Sequence, residues 1–195
     1  ITISGNQGVE IQSLDGQNAA VYMTKNHGNA SSLTISSANG DVRITGGNGI
    51  QTDLTDGSMT GTITGRNVMI SSAVTGIAMD NGSSNLTLAV NQDGGQITVS
   101  TSAEGGNAIS VSGNKSSLTL GDGEHATDVN INGYIKVTGE NSTLTFAKNT
   151  TTHVDSQYLT NEKQAFITTD KTQPANGIAL LAEPEPQKAV VFEDG

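Results

Sequence analysis

No cysteine or tryptophan occurs in the 195 residues, proline occurs three times, aromatic residues make up 3% and charged residues 14%. Each shortage excludes something. Without cysteine there is no disulfide to lock the chain before it crosses a periplasm, which favours an exported protein. Little proline and little charge, set against plentiful Ile, Val and Thr, separate the chain from disordered polar sequences, which are rich in the first two and poor in β-branched residues. The scarcity of aromatics leaves Tyr22, Tyr134 and Tyr158 as the only tyrosines available to stack on a sugar ring. No stretch approaches the roughly 18 apolar residues that span a bilayer, so direct membrane insertion is not expected. No basic-then-apolar leader stands at Ile1 and no methionine initiates the chain, which reads as a processed piece whose export signal and any anchor lie elsewhere. Positive charge is also short. Nine Lys and Arg against 19 Asp and Glu leave a net charge of −10 and a pI near 4.5, a field that would repel nucleic acid and anionic membranes.

What fills the sequence instead is Ser, Thr, Asn and 24 Gly, interleaved with short apolar alternations. One pattern recurs. Leu33-Thr34-Ile35, Leu86-Thr87-Leu88, Leu118-Thr119-Leu120 and Leu144-Thr145-Phe146 all read apolar, Thr, apolar, and most follow a small polar pair such as Ser31-Ser32, Ser84-Asn85 or Ser116-Ser117. Met59-Thr60-Gly61-Thr62-Ile63 reads as a degenerate copy, and the starts at 33, 59, 86, 118 and 144 then differ by 26, 27, 32 and 26. Two further patterns keep step. A small residue followed by an apolar alternation appears at Ala20-Val21-Tyr22-Met23, Gly49-Ile50, Gly76-Ile77-Ala78-Met79 and Ala108-Ile109-Ser110-Val111. Before it comes another alternating segment, Val42-Arg43-Ile44, Val68-Met69-Ile70, Ile97-Thr98-Val99 and Val129-Asn130-Ile131.

Each segment offers two or three apolar residues at period two, so one face is buried and the other wet. A single repeat of this kind cannot bury its apolar face; stacking successive repeats in register does so, with strands about 4.8 Å apart along the axis. The expectation is an all-β, right-handed parallel β-helix of about six to seven irregular three-strand rungs over residues 1–182, the hand following from the crossover rule. Asn39-Gly40, Asn48-Gly49, Asp56-Gly57, Asn81-Gly82, Asp93-Gly94-Gly95 and Gly105-Gly106-Asn107 are expected to turn the corners with positive φ. The pattern fades near residue 150. Thr150 to Lys171 reads equally as a distorted rung or a short helix, Asn176 to Leu181 as one more rung, and residues 183–195, with Pro184 and Pro186, as a linker or an edge strand.

The Ser-Ser-x-Leu-Thr-Leu strands, the Gly-Asn-Ala-Ile and Thr-Gly-Ile-Ala elements and the Gly/Asn/Thr/Ser background over residues 1 to 150 resemble the passenger domains of bacterial autotransporters. The resemblance implies a right-handed β-helix carried across the outer membrane to the bacterial cell surface, most often as an adhesin, aggregation factor or toxin. The family's translocating barrel is absent from the sequence, as is the Gly-Asp-Ser-Gly segment of its serine-protease branch.

Chemistry-bearing residues are few. Arg43 and Arg66, the only arginines, stand 23 residues apart, about one repeat, where a polysaccharide lyase would need a base beside metal-bridged carboxylates. They read as solvent-facing decoration at matching strand positions. Asp53 with Asp56, and Asp122 with Glu124, are the acidic pairs close enough to weigh for glycoside cleavage, and both read better as turn formers. His27, His125 and His153 are scattered in expected loops. Gly121-Asp122-Gly123-Glu124-His125 with Asp128, and Gly46 to Asp53, have oxygen ligands without the regular spacing of calcium-binding repeats. No catalytic residue, metal ligand or cofactor is assigned, and no binding face can be chosen. Sequons such as Asn29-Ala30-Ser31, Asn85-Leu86-Thr87, Asn114-Lys115-Ser116 and Asn141-Ser142-Thr143 follow from composition; their Asn and Thr are expected to form polar ladders on the solvent face or at corners. The functional expectation is a non-enzymatic adhesion or self-association module whose partner is a host surface protein, a glycan or another copy. A polysaccharide-cleaving enzyme and a passive stalk segment are the alternatives.

Overall fold

Two or three apolar residues at period two can bury one side of a strand only if a neighbouring strand supplies the same side in register, and the chain arranges this three times per turn. The computed structural model describes residues 1–24, 29–154, 167–169 and 188–192, and these are all-β, with no helix among them. They form a parallel β-solenoid of about five turns. The first turn is β1 (Thr2–Gly5), β2 (Gly8–Gln12) and β3 (Val21–Thr24). The second begins with β4 (Ala30–Ser37), and β5 (Asp41–Gly65) bends round two corners to finish it and open the third. The long strand β6 (Val68–Val90) repeats that path into the fourth turn, completed by β7 (Gly95–Thr101) and β8 (Asn107–Val111). The fifth turn is β9 (Ser117–Leu120), β10 (Thr127–Asn132) and β11 (Tyr134–Val137), and β12 (Ser142–Phe146) and β13 (Thr150–Val154) lie on it as the start of a sixth. Every pairing is parallel.

Three columns result. The first stacks Ile3, Ile35, Ile63, Leu88, Leu120 and Phe146 inside; the second stacks Val42, Val68, Ile97 and Val129; the third stacks Val21, Ile50, Ile77, Ile109 and Ile135. From Leu33 to Phe146 these side chains are almost wholly out of solvent, each worth about 1.5–3 kcal/mol of apolar burial. Among the described residues the first turn is the open one, with Ile1 67% and Ile3 38% exposed.

The register corrects the sequence reading in three places. Gly61, not Met59, takes the place of Leu33 and Leu86, so the steps along this column are 28, 25, 32 and 26 from 33 to 61, 86, 118 and 144. Met59 is fully buried and its sulfur lies beside Gly61, filling the volume that a leucine would occupy. The arginines are not at matching positions, because Arg43 pairs with Glu10 and Met69 while Arg66 sits on a corner. Of the corner glycines, Gly57, Gly82, Gly94 and Gly105 have positive φ, but Gly40, Gly49, Gly95 and Gly106 do not. Gly49 is required by contact: a Cβ there would fall on Ile70 Cγ2 and the Gly76 carbonyl, where the coil closes tightly on the next turn.

Beyond the expected fade point, Thr150–Val154 continues the second column on β10, so that part of the chain is a strand and not a helix. Lys188–Phe192 (β15) joins the first column beside β12, and Ile167–Thr169 (β14) pairs on its other side. The rest of 150–173, the expected rung at 176–181 and the boundary at 182/183 lie outside the described residues.

Candidate functional site

Alternation that sends leucine and isoleucine inward sends the intervening residues of the first column outward. Thr2, Thr34, Thr62, Thr87, Thr119 and Thr145 are consecutive register partners. At about 4.8 Å per strand this unbroken rank is about 24 Å long. A second rank, Ser32, Thr60, Asn85, Ser117 and Thr143, runs beside it, and Ser4, Ser36 and Thr64 flank it on the other side. All are exposed or half-buried, none is charged, and Ser117 Oγ donates to Asn85 Oδ1 at 2.7 Å, from one turn to the next. The other two faces differ. Facing out on the second column are Glu10, Arg43, Met69, Thr98, Asn130 and His153, and on the third Tyr22, Gln51, Ser110 and Lys136, with Ala78 in the same register rank but buried. The first column is therefore the one uncharged flat face among the described residues.

The small polar pair before each Leu-Thr strand splits across the wall. Its second member joins the outer rank; its first turns inward at the corner. Ser84, Ser116 and Ser142 are 1% exposed or less. The Ser84 amide donates to Ser116 Oγ (3.1 Å) and the Ser116 amide to Ser142 Oγ (3.0 Å), while Ser116 and Ser142 hydroxyls donate to the Gly82 and Gly113 carbonyls. Corner backbone that the strand ladders miss is thus satisfied from within.

The weighed ionisable residues are mostly committed to structure. Asp41 gathers both arginines, Arg43 at 2.8 Å and Arg66 at 3.3 Å, with the Asn67 amide at 2.8 Å. Partial burial pushes its pKa up, but the Asn67 hydrogen bond and the two guanidiniums outweigh that and hold it below the usual carboxylate range. Sequence reading did not single out Asp41; an acid two residues before Arg43 was the available signal. Asp53 accepts from the Asn81 amide (2.8 Å) and the Tyr22 hydroxyl (3.4 Å), and Asn48 donates to Gln51 and accepts the Thr75 amide, so these side chains of the Gly46 to Asp53 segment serve hydrogen bonds within and between turns. Asp56 is described in backbone only, and His27 and Tyr158 lie outside the described residues. His153 faces outward in β13, and Asp128 pairs with Gln96 and Thr151.

Asp122, Glu124 and His125 do come together, their ligand atoms lying within 4.8 Å of one another. Asp122 Oδ1 accepts the Glu124 and His125 amides and Oδ2 meets His125 Nδ1 at 2.7 Å, so the carboxylate forms the turn as the sequence suggested. Partial burial raises the Asp122 pKa, and the His125 and Glu124 hydrogen bonds overcome it and lower it. The Asp122 hydrogen bond in turn raises His125.

The chain matches no known family model, no curated protein and no solved structure. What the site can do is therefore read from its own chemistry. A rank of threonine hydroxyls and methyls, repeated at strand spacing and held by the wall behind it, offers donors, acceptors and apolar contact with little side-chain entropy to lose.

Proposed function

We propose that this solenoid is a non-enzymatic adhesion or self-association module, displayed outside a bacterial cell in the manner of an autotransporter passenger, and that its uncharged threonine face makes the contact. The observation that carries this reading is the unbroken rank of Thr2, Thr34, Thr62, Thr87, Thr119 and Thr145 with hydroxyl and amide ranks beside it. Its partner is another copy, a host surface protein or a glycan. About 24 Å of column by about 14 Å of strand presents roughly 300 Å², well under the roughly 800 Å² per partner of a stable pairwise interface. A single contact is thus weak, and many copies on one surface would supply the strength by avidity. The absence of charge on this face matters because the chain's net charge of −10 opposes the approach of a second copy. The commitment of Asp53 and Asp122 to turn and ladder hydrogen bonds supports a non-catalytic reading.

The test is saturable binding of the purified chain to itself and to immobilised matrix proteins and glycans, with albumin as control. The triple variant T62K/T87K/T119K places three cations on exposed or half-buried positions. Wild type should bind and the variant lose it with an unchanged β spectrum. Failure of wild type on every surface would leave the chain a passive stalk segment.

A further inference from the structure

A second feature lies on another side of the coil, where each turn passes from its second strand to its third. Four successive turns line one open groove of about 440 Å³ there. Its length follows the axis, because Gln12, Thr45, Ser71 and Ser100 are register partners in consecutive turns. Hydroxyls along it are already aimed by the backbone: Ser72 Oγ donates to the Ser100 carbonyl at 3.0 Å and Thr101 Oγ1 to the Val74 carbonyl at 2.9 Å. Thr101 Oγ1 also accepts the Ala103 amide at 3.2 Å, and each of the two oxygens keeps at least one lone pair for a ligand. One end carries Leu14, 88% exposed. The loop presenting it is braced by Asp15, whose carboxylate takes the Gln17 amide at 3.1 Å, the Asn18 amide at 3.0 Å and the Ser13 hydroxyl at 3.1 Å.

No residue lining the groove is charged. It therefore has no cation to meet a uronate, sulfate or phosphate, in a chain that already carries −10. The volume falls within the few hundred Å³ of ordinary ligand sites, but the lining is hydroxyl-rich where such sites are mostly apolar. Its donors and acceptors repeat at about 4.8 Å, comparable with the advance of one sugar residue in an extended polysaccharide. An exposed leucine on a braced loop at one end suits the apolar face of a sugar ring.

We infer that this groove binds a neutral, unbranched polysaccharide along the solenoid axis, about one sugar per turn. The threonine rank is not part of it, so this site stands or falls independently of self-association through that rank.

The test uses the whole chain and soluble neutral oligosaccharides of increasing length, including gluco-, manno- and xylo-series, followed by NMR shift changes or affinity electrophoresis up to millimolar concentration. Affinity should climb with length to about four sugars, the span of four turns, and then level off. S71R, which puts a cationic bulk on an exposed groove position, should weaken binding at least tenfold, whereas E140K, at an exposed position outside both the groove and the threonine rank, should bind as wild type. If S71R fails to fold, L14D on the exposed loop gives the same comparison. Absence of binding to every neutral series would overturn the inference. So would equal affinity in the groove variants, or a preference for hyaluronan or heparin over all neutral chains.

Discussion

Leu88→Ala is the sharpest probe of the stacked core. Leu88 is 0% exposed and lies between Ile63 and Leu120 in the first column. Removing its three terminal carbons loses their transfer energy and leaves a hole whose floor and ceiling are strands hydrogen-bonded to further strands. Such walls cannot move in, so the loss belongs in the upper part of the 2–5 kcal/mol range, about 3–5 kcal/mol. For a chain of this size that is a fall in Tm of about 6–20 °C. Ile3→Ala removes the same kind of side chain from the same column at the open first turn, where 38% is already exposed, and should cost about 1 kcal/mol or less. Thermal and urea unfolding followed by circular dichroism measures both. Because the strand ladders join each turn only to its neighbours, with the Asn91 amide reaching the Ser37 and Ala38 carbonyls two turns away as an exception, the central lesion should also broaden the transition. Equal losses at positions 3 and 88 would refute the reasoning, since they would mean that stacking between turns does not confine the interior.

Gly49→Ala should destabilise by several kcal/mol, because its Cβ would land on the Gly76 carbonyl, whereas Gly94→Ala, with φ of 75° in open space, should cost about 1 kcal/mol; matched melts check the order. Ser116→Ala leaves the buried Ser84 amide without its acceptor and should cost about 1–3 kcal/mol by the same assay. An NMR titration of His125 should give a pKa above 6.5, returning toward that value in Asp122→Asn. The raised histidine makes the contact stabilising below 6.5 and lost as pH rises through the folded value; the lowered Asp122 makes its share present above 3.8 and lost as pH falls through the folded value, so the turn is tightest between.

Three columns were legible in the sequence because burial of one strand face writes an alternation that no other element shares. Val42, Val68, Ile97 and Val129 sit in the register read from their spacing. Copies at the ends of the pattern were missed although their signal was present: Ile1-Thr2-Ile3 is another apolar, Thr, apolar unit stacked on Leu33-Thr34-Ile35, and Val9-Glu10-Ile11 and Ile135-Lys136-Val137 are further units of the other columns. The expected six to seven rungs become about five complete turns within the described residues, because one of the expected rungs falls outside them. Met59 was placed two residues out because a methionine in place of leucine looks like the start of the motif, and only packing reveals that its sulfur covers Gly61.

By itself the sequence determined that the chain coils, how many strands make a turn and which side chains enter the core, since these depend on local alternation and on a repeat that must stack. Only the tertiary structure decided which outer residues meet. The threonine repeated between apolar neighbours already announced a ladder, but outward positions are free of the core's constraint, so nothing in their spacing tells that Thr62 rather than Thr60 continues it, that two arginines share Asp41, or that a hydroxyl-lined groove runs across four corners.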